Sequence, residues 1–76
     1  MKVIATRIRD LREDHDLRQK EVAAVLGIDQ RVYSSYEVGR YDLPLRHLVV
    51  LADFYKTSTD YLLGRTNVSK PYPSAK

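Results

Sequence analysis

Gln30, Arg31, Ser34 and Ser35 are spaced so that one helix would carry them together. Advancing about 100° per residue, they fall with Val38 within about 140° of one another, while Tyr33 and Tyr36 point the opposite way. A glutamine amide places a donor beside an acceptor, which matches N6 and N7 of adenine, and an arginine fork matches O6 and N7 of guanine. Serine hydroxyls allow close approach and bond to a base or a phosphate. Together these four side chains have the chemistry to read base edges, if something holds the helix outward. Four more residues suit contacts that position rather than specify. Gln19 opens the preceding helix, where free backbone N–H groups and a side-chain amide can hold a phosphate. Arg18 precedes it, and Arg40 and Tyr41 follow the polar helix.

Other chemistry is poorly supplied. The chain has no cysteine, which excludes disulfides, thiolate metal sites and thiol catalysis. His15 and His47 are far apart with no ligand spacing around them, so each is expected at the surface or its boundary rather than on a metal. No Ser/His/Asp or Cys/His constellation, carboxylate pair or phosphate-cradling loop is present, so no catalytic residue, cofactor, metal or small-molecule ligand is expected. No apolar run is longer than Leu48 to Ala52, far below the ~20 residues of a membrane span. The start lacks the apolar stretch of a secretory signal, and a cytoplasmic, soluble protein is expected with no membrane partner.

The elements that must position these residues are short. Seventy-six residues suffice for one small domain, which buries only about 60% of its unfolded surface, so a partner would help its stability. Thirteen Lys and Arg against ten Asp and Glu leave a net charge of +3, which favours a polyanion without specifying one. The apolar periodicity is helical throughout and never alternates as in a strand. Helices are expected over about 2–14, 19–26, 30–38, 45–56 and 59–63, forming a domain over 1–64 with a mobile tail over 65–76. Ile4, Ile8 and Leu11 give the first its inner face, with Leu17 beyond it. Val22, Ala23 and Leu26 serve the second, Tyr33 and Tyr36 the third, and Leu62 and Leu63 the fifth. Leu45, Leu48, Leu51, Ala52 and Tyr55 are expected to line the core side of the fourth. The glycines, at 27, 39 and 64, each fall where a periodic segment stops, as helix C-caps require. Asp29 and Ser58 are suited to N-caps, and Pro44 to a first turn. Arginine cannot cap, so Arg18 leaves the second helix with a weak start.

Gln19 to Gly39 decides the architecture. Two helices of about eight residues meet across Gly27-Ile28-Asp29, too tight for an antiparallel hairpin, with small Ala23 at the closest approach. Val22, Leu26, Ile28, Tyr33 and Tyr36 supply apolar contacts beneath the turn. This is the pattern of a helix-turn-helix.

The chain resembles the phage-repressor (Cro/cI-like, XRE-family) DNA-binding domain in several ordered blocks. These are Arg-Ile-Arg-Asp-Leu-Arg-Glu at 7–13, Gln-Lys-Glu-Val-Ala at 19–23, Leu-Gly-Ile at 26–28 and Tyr-Ser-Ser-Tyr-Glu-Val-Gly at 33–39. Leu-Ala-Asp-Phe-Tyr and Ser-Thr-Asp-Tyr-Leu-Leu-Gly follow downstream. The resemblance implies an all-α, compact five-helix lambda-repressor-like fold that binds double-stranded operator DNA, usually as a homodimer, and no enzyme activity. It implies a phosphate contact for Gln19 and a partly buried ion pair between Arg12 and Glu37, tying the first helix to the recognition helix. A repressor acting on an inverted repeat is the expectation.

On the fourth helix Val50 and Phe54 form an apolar stripe with no internal partner, and with Tyr61 they are expected to make a homodimer seam. Alternatively the tail, through Tyr72, folds back over them. A protein-interaction module is the competing function: an antitoxin whose partner, a toxin or an antirepressor, docks on that stripe, with DNA binding secondary.

Overall fold

The computed structural model describes residues 2–70. Among the described residues the chain is all-helical, with α1 (Lys2–Asp14), α2 (Gln19–Leu26), α3 (Gln30–Glu37), α4 (Leu45–Phe54) and α5 (Thr59–Leu63). The third and fourth helices stop short of positions 38 and 56 because their last turns tighten into closing motifs.

All five helices close alike. The N–H of Leu17, Ile28, Arg40, Thr57 and Arg65 bonds back to the carbonyl of Arg12, Ala23, Ser35, Ala52 and Asp60, at 2.8–3.0 Å. The residue before each donor has positive φ: Asp16, Gly27, Gly39, Lys56 and Gly64. This is the Schellman closure, in which a left-handed residue folds the chain back onto carbonyls the helix leaves free. Gly64 meets a second constraint, since a Cβ there would lie 2.7 Å from Cγ2 of Val3. The end of α5 therefore lies against the start of α1.

The helix starts divide in two. Asp29 accepts the Arg31 N–H at 2.7 Å, and Ser58 Oγ accepts the Tyr61 N–H at 3.0 Å. Arg18 carries no acceptor, but Glu21 reaches back to take the Arg18 N–H at 2.9 Å. That half of a capping box anchors α2 from inside, correcting the expectation of a weak start.

α2 packs on α3 and α4, and α1 on α3 and α5. Between them lie Ile4, Ile8, Val22, Ala23, Tyr33, Tyr36, Leu48, Leu51, Ala52, Tyr55 and Leu62. Ala23 is buried beneath the tight turn, where a larger side chain would hold α2 and α3 apart.

Three expectations require correction. Leu45 is 73% exposed and outside the core. α4 is apolar on nearly every side, and its rotation turns His47, Leu48, Leu51 and Ala52 inward instead. His47 accordingly is no surface histidine: it is 7% exposed, its ring 6.2 Å from that of Tyr36. Thirdly, positions 66 and 67 are anchored, although they lie in the segment expected as a tail. Arg7 donates to the carbonyls of Tyr61 and Thr66 and, at 2.9 Å, to Oδ1 of Asn67, with its guanidinium 4.1 Å from the centre of the Tyr61 ring. Tyr72 lies outside the described residues.

Two predictions follow from helix ends and burial. Lys56→Gly should stabilise the domain by up to about 1 kcal/mol, since glycine adopts the left-handed conformation without a Cβ penalty; urea unfolding measures it, and an unchanged midpoint refutes the cost. His47 has no partner for Nε2 among the described residues, and burial, then the charge of Arg46, pushes its pKa down. Its contribution to stability is therefore present above the unfolded value of about 6.5 and lost as pH falls through the lower folded value. Melting temperatures should drop between pH 7 and pH 5, and His47→Leu should flatten that slope.

Candidate nucleic-acid interface

α3 carries the expected readout residues on its outer face. Gln30 and Arg31 are exposed at its first turn, and Ser34 and Ser35 are half-buried one turn on. The Arg31 side chain is 93% exposed, and its Nε lies 3.4 Å from the same Asp29 oxygen that caps the helix. Asp29 is held below the usual carboxylate range by the Arg31 backbone N–H and then by its side chain. It thus stays an anion that accepts from Nε–H, leaving both terminal nitrogens of Arg31 free to point outward. The Ser35 hydroxyl donates to the Val32 carbonyl, so its oxygen presents lone pairs to the outside. Val32, which sequence reasoning left unassigned, is exposed on the flank of this helix.

The opposite face of α3 is fastened at one atom group. The Glu37 carboxylate, whose side chain is 3% exposed, accepts from Arg12 Nε at 2.7 Å and Nη2 at 3.1 Å, and from Gln19 Nε2 at 3.1 Å. The Tyr33 hydroxyl completes the set. Arg12 also donates from Nη1 to the Leu17 carbonyl at 2.9 Å. One carboxylate thereby joins α1, α2 and α3, and Arg12 adds the turn between α1 and α2. Burial alone would push the Glu37 pKa up; the bonds from Arg12, Tyr33 and Gln19 outweigh it and hold the group below its ordinary value. Burial, then the adjacent Glu37, pushes the Tyr33 phenol upward, so it remains a donor at any physiological pH.

Arg12 and Glu37 are thus brought together, and two partners expected elsewhere join them. Gln19 was expected to face a phosphate, but its amide nitrogen turns inward to Glu37. Tyr33 was read as apolar filling. Neither role leaves a periodicity signal, although an acid placed four residues after a tyrosine on a buried face is the available clue. Arg18, Arg40 and Tyr41 are exposed at the start of α2 and beyond α3, and no bond among those described ties down their side chains. Val50 and Phe54 are exposed on α4, whereas Tyr61 is partly buried beneath Arg7. No cluster that could hold a metal ion occurs among the described residues, and no described helix is long and apolar enough to cross a membrane.

A turn this tight, with its second helix held from behind and polar in front, defines a helix-turn-helix. The helix-turn-helix family model matches residues 8–62, and the chain belongs to that family. The chain is 40% identical over 65 residues to the uncharacterised HTH-type transcriptional regulator YobD of Bacillus subtilis (strain 168), covering 86% of this chain and 58% of YobD. It is 37% identical over 67 residues to the HTH-type transcriptional regulator ImmR of the same organism, covering 88% and 53%. With the cryptic phage CTXphi transcriptional repressor RstR of Vibrio cholerae it shares 40% identity over 74 residues, covering 95% and 67%. The chain thus spans little more than half the length of the two Bacillus relatives. No solved structure matches it.

Glu37→Gln should destabilise the domain by about 3–5 kcal/mol, because a neutral amide leaves the Arg12 charge buried without its counterion. Urea unfolding at neutral pH measures this, with Arg12→Met/Glu37→Leu losing less than the single variant. A double variant that is worse than Glu37→Gln contradicts the assignment.

Proposed function

We propose that the chain is the DNA-binding part of a transcriptional regulator, a repressor that docks on an inverted-repeat operator as a homodimer. The observation that carries this reading is the α3 face itself. Gln30 and Arg31 project from its first turn, Ser34 and Ser35 follow, and the Glu37 cluster fixes the helix from behind. A helix N-terminus of this composition fits the major groove, with Gln30 matched to adenine and Arg31 to guanine. Arg18, Gln19, Arg40 and Tyr41 would meet phosphates on either side. For Gln19 the contact runs through the backbone at the start of α2, since its amide nitrogen is engaged. Repression accords with the likeness to RstR, a transcriptional repressor.

In a two-fold pair the recognition helices enter successive major grooves about 34 Å apart, and Val50, Phe54 and Tyr61 contribute to the seam. Selection from a random DNA pool should return an inverted repeat with half-sites one helical turn apart. Gln30→Ala and Arg31→Ala should each cost roughly 1–3 kcal/mol of discrimination at one position per half-site. Arg40→Ala should weaken all sequences alike and flatten the salt dependence. If both α3 variants select the same sequence as the parent, the base-readout assignment fails.

A further inference from the structure

α4 leaves Leu45, Arg46, Val49, Val50, Asp53 and Phe54 exposed. Advancing about 100° per residue, these six cover a face about 180° wide. Arg46 and Asp53 run along its midline, with Leu45 and Val49 on one side and Val50 and Phe54 on the other. No ion pair among the described residues involves Arg46 or Asp53. Two opposite charges thus stand unpaired, about 10 Å apart along the axis, amid apolar side chains that are 40–73% exposed.

The order of these residues is palindromic in polarity and inverted in charge. Counted outward from the point between Val49 and Val50, Val49 answers to Val50, Arg46 to Asp53 and Leu45 to Phe54. A second copy laid antiparallel sets apolar against apolar and cation against anion at both ends. A parallel, in-register copy sets Arg46 on Arg46 and Asp53 on Asp53. Closed dimers bring one patch onto itself in the way this pattern allows.

We propose that α4 is the seam of an isologous homodimer in which the two helices lie antiparallel and Arg46 of each copy faces Asp53 of the other. The inference rests on the homodimer reading above and extends the seam from Val50 and Phe54 to the whole outer face of the helix. It gives Leu45 a role that the core does not. A contact confined to one helix of ten residues is smaller than the roughly 1,200 Å² of stable complexes, so the pair is weak until two half-sites on one DNA bring the copies together.

Arg46→Glu and Asp53→Lys test this. Each variant alone sets like charges opposite at both contacts and should self-associate at least tenfold more weakly than the parent in sedimentation velocity at high concentration. Mixed in equal amounts, the two restore opposite charges at both contacts and should associate as the parent does. Thermal melts of each variant establish that it is folded. A parent that dimerises while the single variants behave identically, or a mixture no more associated than its components, overturns the antiparallel seam and leaves the homodimer standing. A parent that occupies its operator as one copy overturns both.

Discussion

The carboxylate of Glu37 is the point on which the domain depends. Helices of about eight residues are marginal alone and owe their order to packing, and a domain of this size has little apolar area to spare. Four donors converge on this one group from α1, α2 and α3, and each lone-pair direction is filled. Its desolvation is thereby compensated, which a single ion pair at that depth would not achieve. Van der Waals packing would permit α3 to roll or slide by small amounts; a carboxylate with four fixed partners does not. The angle at which α3 presents its outer face is set from the inner one.

Orientation and the proposed readout therefore fall to different residues on one helix. Tyr33, Tyr36 and Glu37 decide where α3 lies, and Gln30, Arg31, Ser34 and Ser35 occupy the surface thus presented. The outer side chains take no part in the Glu37 cluster that fixes the helix. On α4 the division is similar. His47, Leu48, Leu51 and Ala52 face inward, and six outward residues stay exposed.

Much of this architecture was legible in the residues. Helical periodicity marked the segments, and three of the five closures were visible as glycines. The other two were not, because Asp16 and Lys56 adopt the left-handed conformation without announcing it. Their φ is imposed by the bond from the following residue and by the packing of the next element. The rotation of α4 was equally hidden, since a helix apolar on nearly all sides has no periodic signal that separates Leu45 from His47. On the candidate interface, the pairing of Arg12 with Glu37 followed from the family resemblance. The parts played by Gln19 and Tyr33 did not, because a polar hydrogen bond behind a helix depends on three-dimensional convergence.

The oxygen of Asp29 shared by the backbone and side chain of Arg31 has a kinetic corollary. At the tip of α3 the charge of Arg31 stands beside the opposite charge of Asp29. An unpaired arginine there would attract every phosphate equally and lengthen residence on irrelevant sequence. On the proposed function, Arg31 with its charge offset adds little to indiscriminate attraction and acts chiefly where a guanine edge satisfies its free nitrogens. That arrangement would speed departure from wrong sites and so shorten the search for the right one.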